Sequence, residues 1–146
     1  MHKDKKEPVP PDPRKTRLTY DDGRVVELAL SGTIYQEHLP DMGHIVAADI
    51  GEDVTLIGES AFNLCYELTS VTLPKTSIAI APFAFNEIPL VSLDFGDSGL
   101  TEIGMAAFEH CELLTTVVLP STLSSMGPGA FVYCSNIDLS FIGKTL

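Results

Sequence analysis

The chain has 146 residues, 45% of them hydrophobic, and a net charge of −11, which bounds it to one domain plus a tail with enough apolar matter for a core. No apolar run reaches the roughly 18 residues that a membrane span needs, and so acidic a body repels phosphate backbones, so neither a membrane span nor nucleic-acid binding is expected. The charge is uneven: residues 1–17 hold six cations against three acids, whereas residues 18–146 hold three cations (Arg24, Lys75, Lys144) against 17 acids, which gives +3 and −14.

Residues 1–17 read as a disordered, basic, proline-rich tail, with Pro8, Pro10, Pro11 and Pro13 close together; such a stretch cannot bury apolar surface. Its charged start is not followed by an apolar stretch, so it is not a secretory signal as it stands. The protein is then intracellular, or the chain is part of a longer one. Residues 18–44 read as a hairpin cap. Leu18–Tyr20 and Arg24–Leu30 are joined by Asp21-Asp22-Gly23, and an Asp-Gly pair favours a tight turn. Residues 33–44, broken by Pro40 and Gly43, complete the cap as an irregular loop.

From residue 45 to 146 the sequence repeats. The phrase I-G-x-x-A-F-x-x-C-x-x-L-T-x-V-x-L-P fills Ile57–Pro74 and Ile103–Pro120, with degenerate copies from Ile80 and Met126. The spacing is 23 throughout (80 − 57, 103 − 80, 126 − 103), and Phe62, Phe85, Phe108 and Phe131 keep the same step. A fixed period of this length marks a solenoid, which usually binds through an extended surface. Ile45–Ile57 reads as a half-coil leading into the first full repeat. Within each repeat, Leu68, Val71 and Leu73 point inward around a short strand that Pro74 ends. The glycines at 58, 104 and 127 allow a tight corner. Glu59–Cys65 is expected to form a turn or two of helix, with Ala61 and Phe62 facing the core. The second repeat has Ile88 in the cysteine slot and one residue fewer before Leu90, and it is the least regular coil. The fourth reaches Cys134, Ile137, Leu139 and Phe141 and stops at Leu146 without a cap.

These motifs resemble the BspA-type (treponemal-type) leucine-rich repeat, over about residues 45–146. The resemblance implies a right-handed curved solenoid, mainly β with short helices. It implies protein binding or adhesion, often at microbial surfaces, and brings no catalytic residues. If that family habit holds and the chain is a fragment, the cell surface or secretion is the expected location.

The chemistry-bearing residues point the same way. Cys65, Cys111 and Cys134 share one repeat slot and read as small buried hydrophobes. Their odd number and the lack of a C-x-x-C pair argue against disulfides and structural zinc. His38 and His44 flank a loop containing Asp41, a loosely ligand-like set in what reads as a solvated capping loop. No nucleophile elbow, P-loop or dinucleotide fingerprint is present. No catalytic residue, metal or cofactor is expected.

The expected binding surface is the outward face of the strands. One-in, one-out alternation places Ala47 and Asp49, Ser70 and Thr72, Ser92 and Asp94, Thr116 and Val118, and Asp138 and Ser140 in successive outward rungs. These are small side chains with acids among them, suited to an extended peptide or a flat protein face. The acidic body biases the choice toward basic partners. The alternative is a structural protein that self-associates by stacking through its uncapped C-terminal coil.

Overall fold

The computed structural model describes residues 9–137, folded as a mostly β solenoid behind an antiparallel cap. The cap hairpin pairs β1 (Thr16–Tyr20) with β2 (Val25–Leu28). Its turn takes a three-residue form. The Gly23 N–H donates to the Tyr20 carbonyl at 3.0 Å, the Tyr20 N–H donates to the Arg24 carbonyl at 2.9 Å, and Gly23 alone in the loop is left-handed (φ 89°). Strand β1 then pairs antiparallel with the first front strand, so Leu18 and Tyr20 close the end of the core. Order reaches back ahead of Leu18, past the expected tail boundary at 17. Thr16 is fully buried in β1 and its hydroxyl accepts the Gly51 N–H, while the Pro13 carbonyl accepts the Glu52 N–H at 2.9 Å.

Each coil contributes one strand to a front sheet and one to a back sheet. The front strands are β4 (Ile45–Asp49), β6 (Ser70–Thr72), β8 (Ser92–Asp94) and β10 (Thr116–Val118). The back strands are β3 (Gly32–Ile34), β5 (Val54–Ile57), β7 (Ser77–Ile80), β9 (Gly99–Ile103) and β11 (Ser125–Met126). The back sheet is continuous and parallel, in the order β11-β9-β7-β5-β3. Its first member, β3, lies ahead of residue 45 in the chain. Ile34 lies one full repeat period before Ile57, is fully buried, and sits in a strand parallel to β5. Two 3-10 turns, Gln36–His38 and Met42–His44, take the place of that coil's arc.

The front sheet is split. Strands β2-β1-β4-β6 form one piece and β10-β8 another. The shortened second repeat explains the break. The step from Ser70 to Ser92 falls one short of the period, and the step from Ser92 to Thr116 overshoots it by one. Among the described residues, a long bond from the Val91 N–H to the Thr69 carbonyl, at 3.4 Å, approaches across the gap.

The arcs from the back sheet to the front are not the short helices expected over Glu59–Cys65. They are chained turns in which Ala61 bonds back to Gly58, Cys65 to Phe62 and Leu68 to Cys65. A left-handed residue interrupts each arc at the same place: Ser60 (φ 56°), Phe83 (60°), Ala106 (53°) and Gly129 (66°). A second interruption follows at Glu87, His110 and Tyr133. Left-handed backbone costs a side-chain-bearing residue roughly 1–2 kcal/mol and ends any α-helix. The arcs recover their hydrogen bonds between coils instead. The N–H groups of Phe62, Phe85 and Phe108 donate at 2.8 Å to the carbonyls of Ala84, Ala107 and Ala130, each in the following coil. At the corners Gly58, Gly104 and Gly127 donate the other way, into the preceding coil, to Ile34, Ile80 and Ile103.

The corner glycines serve close approach, not an unusual dihedral. A Cβ on Gly104 would lie 2.5 Å from the backbone nitrogen of Pro82, and one on Gly127 would collide with the Met105 nitrogen. Inside, the phenylalanines form a column. Phe62–Phe85, Phe85–Phe108 and Phe108–Phe131 stack with centroids 4.9, 5.2 and 5.1 Å apart and planes within 12°. That spacing is close to the strand separation of about 4.8 Å, so one ring per coil is what the sheets dictate. Phe95 fills the slot that Leu73 holds one coil earlier and is fully buried.

Candidate binding surface

The strand face is built by the alternation that the strands impose. In β6 and β8 the central Val71 and Leu93 are buried and their neighbours point out. Asp49, Ser70, Thr72, Ser92, Asp94, Thr116 and Val118 are all exposed, while Asp138 and Ser140 lie outside the described residues. Parallel pairing sets Ala47 beside Ser70 and Asp49 beside Thr72, and the Thr72 hydroxyl donates to Asp49 Oδ1 at 2.7 Å. The second piece sets Ser92 beside Thr116 and Asp94 beside Val118. The structure therefore brings the rungs together in two pairs and does not join the pairs into one ladder. Asp94 also accepts the Gly96 N–H at 3.1 Å, so its carboxylate turns partly toward its own strand end.

The cysteines take the positions expected of core residues. All three are buried and free. The Cys111 and Cys134 thiols donate to the Phe85 and Phe108 carbonyls at 3.2 and 3.1 Å. Burial pushes the Cys65 thiol up to about 12, which leaves it a poor nucleophile at neutral pH.

The capping-loop groups separate. His38 Nδ1 accepts the Tyr35 N–H, and Asp41 lies 3.5 Å from Arg24. His44 pairs with Asp21 of the hairpin turn, Nδ1 to Oδ2 at 2.8 Å, and the Asp21 N–H donates to the His44 carbonyl. The hydrogen bond to Asp21 raises the His44 pKa, and a hydrogen bond to the same Asp21 raises that of Glu67. Asp21, His44 and Glu67 offer ligand atoms within 4.8 Å of one another and are all exposed. Of the described residues, this is the set that could hold a metal ion. Sequence reasoning missed it although the three stand one period of 23 apart (44 − 21, 67 − 44), because Asp21 and His44 lie ahead of residue 45, where the repeat was expected to begin.

Reading the arcs for core residues alone also missed a row on their outside. Leu64, Glu87, His110 and Tyr133 follow the period of 23 and stand one per coil. His110 stacks on Tyr133 with centroids 4.6 Å apart, and its Nδ1 lies 3.8 Å from the Glu112 carboxylate. The repeated spacing of these variable letters was a usable signal.

Among the described residues no helix is long and apolar enough to cross a membrane. Comparison with curated proteins returns no match, and comparison with solved structures returns none. A family model described as BspA type Leucine rich repeat region (6 copies) matches residues 33–146, starting beside Ile34, where the back sheet begins. The chain belongs to the BspA-type leucine-rich repeat family, whose solenoid fold suggests a protein-interaction module and which is typically non-enzymatic.

Proposed function

We propose that this chain is a non-catalytic protein-binding module, of an adhesive or interaction kind, that docks a protein or an extended peptide on its front strand face. The observation that carries the reading is the exposed register of small outward side chains, Ser70 and Thr72 in one piece and Ser92 and Thr116 in the other. A flat β surface with short side chains loses little rotamer entropy when it is covered. Asp49 and Asp94 at its edge favour a basic partner and steer its approach, an effect that weakens as salt shortens the Debye length.

The test is quantitative capture with wild type and two variants. Thr72→Arg with Thr116→Arg places long cations on both pieces and should reduce retention of the specific partners by about tenfold or more, the cost of a misplaced buried charge. Asp49→Asn with Asp94→Asn should cause a smaller loss that disappears at high salt. Partners retained equally by wild type and the double arginine variant would sink the strand-face reading.

A further inference from the structure

The outer side of the arcs forms a second surface, independent of the strand face. Its row of side chains, Leu64, Glu87, His110 and Tyr133, is held by unusual backbone: Glu87, His110 and Tyr133 have φ of 62°, 59° and 61°. Glycine or asparagine would take this conformation at less cost. The chain nevertheless places an acid, an imidazole and a phenol there. Within the row Tyr133 is 63% exposed, and Tyr66, two residues after Leu64, is 65% exposed. The same arcs carry Glu59, Glu67, Glu87, Glu109 and Glu112, and residues 58–67, 81–90, 104–113 and 127–136 contain no lysine or arginine. Exposed tyrosines among acids, with no cationic side chain on the same arcs, make a surface complementary to a planar cation.

The cap shows how this molecule holds such a cation. The Arg24 guanidinium lies 4.6 Å from the centre of the Tyr20 ring, with Asp22 at 2.9 Å and Asp41 at 3.5 Å. The arcs present the same ingredients without the arginine. Tyr133 is backed by the His110 ring, which approaches Glu112, and Tyr66 precedes Glu67. Backbone bonds between coils, such as His110 N–H to the Val132 carbonyl at 3.0 Å, fix the spacing of the row, so little order has to be gained on binding.

We propose that the outer arcs bind an arginine-rich segment of a partner protein, with guanidinium planes on Tyr66 and Tyr133 and their charge met by Glu67, Glu109 and Glu112. Arginine is favoured over lysine because its guanidinium is flat, weakly hydrated and able to stack.

Fluorescence anisotropy on the full chain, with labelled oligoarginine and oligolysine of equal length, tests this. Oligoarginine is expected to bind roughly tenfold more tightly, and Tyr66→Ser with Tyr133→Ser to remove most of that difference. Tyr66→Phe with Tyr133→Phe should keep it. Equal affinity for the two peptides, or an unchanged preference in the double serine variant with a wild-type circular dichroism spectrum, overturns the proposal. Should the serine variant not fold, Glu109→Gln with Glu112→Gln serves instead: weaker oligoarginine binding with a shallower salt dependence supports the surface, and unchanged binding overturns it. Asp49→Asn with Asp94→Asn should weaken both peptides alike and leave the preference for oligoarginine unchanged, so failure of this surface and failure of the strand-face reading are read separately.

Discussion

The back and front sheets are built from the same repeat, and only the back sheet is unbroken. The back strands end at Ile34, Ile57, Ile80, Ile103 and Met126, a step of 23 each time. Just past those ends the backbones of neighbouring coils pass so closely that Gly58, Gly104 and Gly127 leave no room for a Cβ. Among the described residues, no glycine contact of this kind links β6 to β8 in the front sheet. There the second repeat drops one residue, β6 and β8 fall out of register, and Phe95 keeps the core filled while the ladder is open. Regularity in this solenoid is thus enforced by backbone packing on one side and by side-chain volume alone on the other. The side left free is the one on which the proposed partner docks.

This contrast can be broken in several ways. Both sheets lean on the phenylalanine column, so Phe85→Ala should cost the most, about 3–5 kcal/mol by chemical denaturation. Equal loss from an exposed change such as Glu87→Ala would remove the column from its central place. Next comes a matched pair of glycine changes. Gly104→Ala drives a methyl into the Pro82 backbone and should cost about 1–3 kcal/mol or more. Gly96→Ala, at the open front, meets only the Val118 side chain at 3.2 Å and the Asp94 carboxylate at 3.3 Å. Both can move aside, and its cost should stay below about 1 kcal/mol. Similar losses at the two sites would refute the asymmetry.

A repair of the front sheet sharpens the comparison. Inserting one residue between Ile88 and Leu90 and deleting Asp97, so that the repeat keeps its 23 residues, restores the spacing of the other repeats and should let β6 pair with β8. Amide exchange at Val91 and its neighbours should then slow about tenfold, the equivalent of one or two recovered backbone bonds. Unchanged exchange would mean that the break has another cause.

The smallest effect belongs to the cap. The His44 pKa is raised by Asp21, so the pair's contribution is present below the unfolded value near 6.5 and is lost as pH rises through the higher folded value. Both groups are exposed, so the change in melting temperature between pH 6 and pH 8 should be slight and absent in His44→Gln. A slope of the same size in that variant would assign it to other groups.

Much of this architecture was legible in the letters, and the gaps have physical causes. The strands, the buried cysteine slot and the weak second repeat all follow from period and polarity. The helix expected over Glu59–Cys65 failed because Ser60, Phe83 and Ala106 are left-handed without being glycine, and composition carries no mark of that. The coil at Ile34 was missed because Tyr35–Leu39 depart from the repeat, although the step of 23 was present. The outward rungs were placed by strand alternation, but their division into two pairs depended on a single absent residue whose effect on pairing only geometry reveals. The partner is not written in the core at all, since the recurring letters serve packing.

The bonds between coils also bear on how such a chain can change over generations. They run backbone to backbone from each coil to its two neighbours, forward as from Phe62 to Ala84 and back as from Gly104 to Ile80, so they ask nothing of the side chains facing outward. A whole repeat unit can be copied or deleted in the gene and find its partners already waiting on both sides. A change of one residue cannot: the loss before Leu90 costs a stretch of sheet. The structure favours growth by duplication of complete coils, with recognition rewritten afterwards on surfaces that the scaffold leaves unconstrained.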